Sequence, residues 1–190
     1  MSYCDGKIVA GLVNDCATLP AAGYEAEGVI INRADIDFST ATVTGNVLTD
    51  IPLKSGKKGY KLEQKGARPF ADSTSEAEVG TYATTFNKNV AFAVLSNDPE
   101  HSDFIDSVAN GEFVVVLKAK DKGKDNKGAF KVFGWHNGLK VSAISHDPYG
   151  DAKGGAVVTL TEEQAPLYAL YLGATYQAGQ QAFDALTAEE

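Results

Sequence analysis

With 190 residues, 44% apolar side chains, 19 glycines and a single methionine, the chain can bury a substantial core in one domain, and its composition suits a turn-rich β protein better than a helical bundle. No run approaches the ~18 apolar residues of a membrane span, and residues 1–13 lack a basic leader followed by a long apolar core. The expectation is therefore a protein without a membrane span that is made, and stays, in cytoplasm. The formal net charge of −8 hides a segregation: residues 53–68 and 118–131 hold 12 of the 17 basic residues and 3 of the 25 acidic ones, leaving 5 against 22 elsewhere. An acidic body repels phosphates, and Tyr60 is the only aromatic in the first basic segment, which argues against a single-strand nucleic-acid platform. An acidic partner surface, another copy of this chain included, fits the lysines better.

Residues 1–23, punctuated by Gly6, Gly11, Pro20 and Gly23, show no sustained period and read as an extended arm suited to lying on a neighbour. Cys4 and Cys16 lack a second Cys or His pair at ligand spacing, so zinc is not expected. They read either as a disulfide or as two reduced, small apolar side chains. The first strand is entered at Val29-Ile30-Ile31, and Ala34 to Phe38 continues it or turns. Thr40 to Leu48, around Gly45-Asn46, reads as two short strand pieces or one bent strand. Residues 51–68 read as a long basic hairpin loop leaving the body, with Lys54, Lys57, Lys58, Lys61 and Lys65 on its flanks. Ser73 to Thr85 is polar and Thr-rich, and Asn87 to Leu95 ends in an apolar run. These predict strands exposed on at least one face.

Asp98-Pro99-Glu100 is a helix start, with Asp98 as N-cap and Pro99 at the first helical position, and Asn110-Gly111 ends the helix. Phe104, Ile105 and Val108 form its apolar face, predicted to cover one opening of the β core. His101 reads as a solvated side chain. The densest strand signals follow. Val114 to Leu117 is a continuous apolar run, β-branched at its three valines, of the kind a strand buried on both faces requires. Asp121 to Gly128, with Lys122 and Lys124, suits a mobile loop. Phe130 to Gly134 is a second strand, and Asn137-Gly138 predicts a tight turn into a third, Leu139 to Ser145, making a three-stranded antiparallel meander. His146, Asp147 and Asp151 lie near one another, but Pro148 and Gly150 point to turn chemistry rather than a metal site. Ala156 to Thr161 is the last clear strand. Leu167 to Leu172 reads as strand or helix, and 174–188 as a C-terminal helix, interrupted by Gly179, whose thin stripe of Phe183 and Leu186 leaves it to pack on a partner or to fray.

The fold class is thus mainly β: an antiparallel sandwich or barrel of two sheets with one flanking helix at about 98–110, divided into an arm (1–23), a β domain (24–172) and a helical tail (173–190). No Walker phosphate loop, GxGxxG turn or GxSxG elbow is present, and Cys16 has no nearby His. No catalytic, cofactor or metal residue is assigned.

The order of features resembles the tail tube proteins of long-tailed bacteriophages, especially those infecting Bacteroidetes hosts. The likeness is carried by the Cys-bearing arm before Gly28-Val29-Ile30-Ile31-Asn32, the Thr-rich segment before Phe92 and the helix ending at Gly111. To these are added Phe113-Val114-Val115-Val116, Phe133-Gly134-Trp135-His136-Asn137-Gly138-Leu139 and Val157-Thr159-Leu160. The resemblance implies a virion structural protein without catalytic activity or cofactor, assembled in host cytoplasm into hexameric rings that stack into a hollow tube, as in the related type VI secretion tube proteins. Its partners would be further copies, other tail proteins and DNA in transit. In such a ring the strand around Gly80 to Thr85 would face the channel, and Lys54, Lys57, Lys58, Lys61, Lys65, Lys122 and Lys124 would make the ring-stacking contacts. The alternatives are another virion protein, such as a tail terminator or capsid accessory, and a monomeric or small-oligomer β-sandwich binding domain whose basic loops grip an acidic partner.

Overall fold

The computed structural model describes residues 8, 11–12, 21–150, 152 and 154–188. Cys4, Cys16, Asp151 and most of the predicted arm lie outside them. In chain order the elements are β1 (Tyr24–Asn32), β2 (Val43–Thr44), β3 (Val47–Leu48), β4 (Tyr60–Glu63), β5 (Ser75–Val79), β6 (Thr84–Val94), α1 (Pro99–Ala109), β7 (Phe113–Ala119), β8 (Phe130–Phe133), β9 (Lys140–His146), β10 (Ala156–Ala165), β11 (Leu170–Leu172) and α2 (Tyr176–Ala185). Seven strands form one sheet in the order β2-β3-β11-β8-β7-β1-β4, and four form a second in the order β5-β6-β10-β9. The mainly β, two-sheet architecture read from the sequence is present as a sandwich, and neither sheet closes into a barrel.

β7 lies between β1 and β8, with Val114 opposite Ile31, Val115 opposite Ile30 and Val116 opposite Val132. Because side chains alternate across a strand, its apolar run fills two cores. Val114 and Val116 join Val29, Ile31, Phe130 and Leu172 beneath α2, whereas Phe113, Val115 and Leu117 join Ile30, Val90, Phe92, Val158 and Leu160 between the sheets. The large sheet is therefore covered on both faces. α1 behaves as its sequence predicts: Asp98 accepts a bond from the His101 N–H at 2.9 Å, and Phe104, Ile105 and Val108 pack into the inter-sheet core. The small sheet lies across the strands of the large one. Lys88 near the start of β6 neighbours Val132 and Phe133 of β8, while Ala93 at its far end is bound at 2.8 Å through both N–H and C=O by the Gln64 side chain just beyond β4. Such crossing is the orthogonal way of stacking two sheets.

Four expectations are corrected. The predicted meander ends after two strands: Leu139 keeps one bridge to Phe113, and β9 then pairs with β10 in the other sheet. The handover occurs at Gly134, whose φ of +80° suits glycine and where an added Cβ would strike Phe113 O and crowd Leu139. Residues 51–68 do not pair with each other as a hairpin. Ile51, Gly59 and Leu62 are buried, Leu53 bridges Ile36, and β4 is hydrogen-bonded to β1, because the segment's apolar residues require the body. Gly80 to Ala83 is the turn between β5 and β6, closed by Gly80 N–H donating to Ala83 O at 3.0 Å, so it is not a channel-facing strand. The C-terminal helix is a core element: Phe183 and Leu186 are buried, and the Phe183 ring lies 5.4 Å from that of Phe130. Gly179 does not interrupt α2. It is the point of close approach, where a Cβ would lie 2.7 Å from the Phe130 ring.

Candidate functional site

The outward face of the small sheet is largely polar, and among the described residues each of its outer strands, β5 and β9, is paired on one side alone. Along β6, Val90, Phe92 and Val94 turn inward, which sends Asn87 and Asn89 outward; along β10, Val158 and Leu160 turn inward and Thr159 and Thr161 outward. The outward groups bond laterally. Asn89 Nδ2 donates to Thr74 Oγ1 at 3.3 Å, Thr161 Oγ1 donates to Asn89 Oδ1 at 2.8 Å, and Ser142 Oγ lies 2.8 Å from Thr161 Oγ1. The ladder runs from Thr74, just before β5, across β6 and β10 to β9 without a charged group, while Glu76, opposite Asn87, and Glu78, which accepts from Asn87 Nδ2 at 2.9 Å, lie on the same face. At the two ends of the sheet, β5 and β9 have no strand partner on their outer side among the described residues, which makes their outer N–H and C=O groups a template for pairing with another chain. The free edge of the large sheet at β4 is different: it is four residues long and bears Lys61 with Lys65 just beyond, the usual guard against edge pairing.

A buried charge pair places β9. Lys88 and Glu162 are 2% and 0% exposed, with Nζ and Oε2 3.4 Å apart. Glu162 Oε2 also accepts from Gly134 N–H at 3.0 Å, and Oε1 accepts from the N–H groups of His136 and Asn137 at 2.9 and 3.0 Å. Every lone pair that burial strips of water is thereby given a donor, which is what makes a buried carboxylate tolerable. The carboxylate fixes the turn that carries the chain from β8 to β9, and Asn137 Nδ2 reinforces it by donating to Glu163 O and Gln164 O at 2.8 and 3.1 Å. The sequence reading missed this pair. Its signal was present: Glu162 continues the inward period of Val158 and Leu160, and Lys88 that of Val94, Phe92 and Val90. Beside it, burial holds the His136 imidazole below its ordinary range, with Lys88 and Arg33 adding to the effect and Glu162 opposing it. Arg33 Nη2 donates to His136 O at 2.9 Å.

The seven lysines assigned to stacking do not form one patch. Lys54 and Lys57 sit at the Asn32 end of β1, where Lys54 Nζ donates to Ala34 O at 2.7 Å and Lys57 pairs with Asp35 at 3.6 Å. Lys58 is exposed beside them, Lys61 lies on β4, and Lys65 follows it. Lys122 is at the opposite, Tyr24 end, 4.0 Å from Glu25 and over the Tyr176 ring, with Lys124 in the next turn. Lys54, Lys57 and Lys122 thus serve their own chain. His101 is tied to Asp98 at 2.7 Å, and this contact, after that of the Ser96 hydroxyl, holds the Asp98 carboxyl well below the usual carboxylate range. His146 Nδ1 meets Gly155 O, and Asp147 caps Tyr149 N–H, the turn chemistry expected there. Among the described residues no cluster of three or more His, Cys, Asp or Glu could hold a metal, and no helix is long and apolar enough to cross a membrane.

Comparison of the chain with protein-family models, with curated proteins and with solved structures finds no match.

Proposed function

We propose that the chain is a self-assembling structural subunit: copies join edge to edge through their small sheets into a ring, and rings stack into a hollow tube. The observation that carries this reading is the small sheet, open at β5 and β9 and polar outward, set on a large sheet already covered on both faces. The strand directions support closure. β5, β6, β10 and β9 alternate in direction, so β9 runs opposite to β5, and a copy rotated about a common axis presents β5 antiparallel to the first copy's β9. The same contact then repeats around the axis until the ring closes. The uncharged ladder of Thr, Ser and Asn would line the channel in place of the Gly80 to Thr85 strand. A body with 5 basic against 22 acidic residues outside the two basic segments suits a conduit through which DNA slides without being held.

In this reading the subunit is a phage tail tube protein. Six copies per ring, a virion location, assembly in host cytoplasm and other tail proteins as end partners come from the resemblance, and no catalytic step or cofactor is assigned. Stacking falls to the exposed lysines without a described partner, Lys61, Lys65 and Lys124. Negative-stain microscopy with sedimentation velocity tests the proposal: rings or hollow tubes are expected. A monodisperse monomer at high concentration contradicts it and favours the binding-domain alternative.

A further inference from the structure

Two features whose side chains edge pairing leaves unused fit each other. One is the ribbon formed by β5 and the start of β6. β10 reaches β6 only as far as Phe86, so the ribbon beyond it stands clear, and residues 76–84 are exposed throughout. Its tip shows Val79 at 83% and Tyr82 at 100% exposure, with Glu76 and Glu78 on its flank. A projecting two-stranded ribbon buries little of its own apolar surface and is marginal without a partner.

The other is a cleft of about 610 Å³ at the Tyr24 end of β1, between the 67–73 segment and the 120–128 loop. Pro69, Tyr24 and Tyr171 give it apolar and aromatic walls, and Arg68, Lys120 and Lys131 give it charge. None of these three cations forms an ion pair with a described carboxylate, whereas Lys57, Lys88, Lys118, Lys122, Lys127 and Lys140 each do. The one acid in the lining, Asp121, uses Oδ1 to accept from Gly123 N–H at 3.0 Å.

We propose that the β5–β6 ribbon tip of one copy seats in this cleft of the next, Val79 and Tyr82 against its apolar walls and Glu76 and Glu78 against Arg68, Lys120 and Lys131. This rests on the self-assembly reading and deepens it by naming a second contact between copies. The occupant is a second copy because the ribbon carries both properties the cleft selects for, apolar bulk and negative charge, on a segment that is exposed in the free chain. Ribbon and cleft are different patches, so the contact is head-to-tail and propagates. Edge pairing uses backbone groups of β5, which leaves the tip side chains for the cleft.

Charge exchange tests it on the full chain. One variant reverses the ribbon, Glu76→Lys with Glu78→Lys; another reverses the cleft, Arg68→Glu with Lys120→Glu; a third, Tyr82→Ala, alters a fully exposed side chain that folding does not need. Sedimentation velocity follows assembly, and far-UV circular dichroism verifies the fold. Each variant alone is expected to need at least a tenfold higher concentration than the wild type to assemble. An equimolar mixture of the two reversed variants should recover assembly by alternating, since each ribbon then meets a cleft of opposite sign. Wild-type assembly by the variants alone, or no recovery in the mixture, overturns the contact, and so does loss of DNA or acidic-peptide binding with assembly unchanged. A wild type that stays monomeric removes the self-assembly reading itself, which distinguishes the two failures. If a reversed variant does not fold, Tyr82→Ala decides: assembly at the wild-type concentration overturns the proposal.

Discussion

The residue on which the arrangement of the small sheet depends is Glu162. Its carboxylate is fully buried and receives one ammonium and three backbone N–H groups. Removing one member of such a set leaves the others buried and unpaired, at about 3–5 kcal/mol, whereas replacing both charges with apolar groups of similar volume is often neutral. Glu162→Ala should therefore lower stability by about that amount. Lys88→Met combined with Glu162→Leu recovers part of it but leaves the N–H groups of Gly134, His136 and Asn137 unanswered. Chemical denaturation of the two variants measures both effects. His136 adds a pH dependence whose sign follows from its depressed folded-state pKa. The unfolded chain takes up the proton first, so the contribution of the neutral ring is complete above about pH 6.5. It is lost as pH falls through that value toward the folded pKa. Thermal stability should fall as pH drops below about 6.5, and His136→Gln should flatten that part of the profile. The depressed carboxyls of Asp98, Asp37 and Glu112 act at lower pH, where carboxylates titrate.

Among the elements, α2 is where function and stability were hardest to separate from sequence. A stripe of Phe183 and Leu186 is too thin to identify its partner, because the surface it covers, Phe130, Leu172 and Val116, is supplied by strands from elsewhere in the chain. Phe183→Ala should cost about 3–5 kcal/mol, the range for emptying a buried aromatic site, and removing residues 174–190 should expose that core rather than leave a folded domain that merely assembles poorly. Circular dichroism of the truncated chain checks this. The 98–110 helix, the β7 run and the paired strand pieces around Gly45-Asn46 were legible because cap, period and turn are local signals. The crossover at Gly134 was not. Asn137-Gly138 specifies a turn, but which strand the chain pairs with after it depends on Glu162, 24 or more residues downstream. The stacking lysines were legible as charge and not as partners: Lys57 is neutralised by Asp35, and Lys122 by Glu25, through contacts that only the fold creates.

At the scale of the whole molecule, charge and strand edges divide the labour. Exposed lysine contacts contribute little singly, about 0.2–1 kcal/mol each, but a ring repeats them. Lys61→Glu, Lys65→Glu and Lys124→Glu together should leave the monomer's stability within about 0.5 kcal/mol per site, while weakening stacking and altering its salt dependence; microscopy of tube lengths reads the outcome. Normal tubes from this variant would place these lysines away from the ring faces. The edges themselves are tested most directly by cysteine cross-linking. In a chain with Cys4 and Cys16 changed to serine, Ala77→Cys on β5 is combined in turn with Ser142→Cys, Ala143→Cys or Ile144→Cys on β9. Within one copy β6 and β10 separate these strands by three strand spacings, about 14 Å, beyond the Cα separation of about 7 Å that a disulfide spans, so any bond formed joins two copies. At least one pairing is expected to give, on mild oxidation, a ladder of covalent oligomers ending at the ring size. Oligomers in sedimentation with no cross-link from any of the three pairings would contradict the account, because copies would then be joining through some other surface.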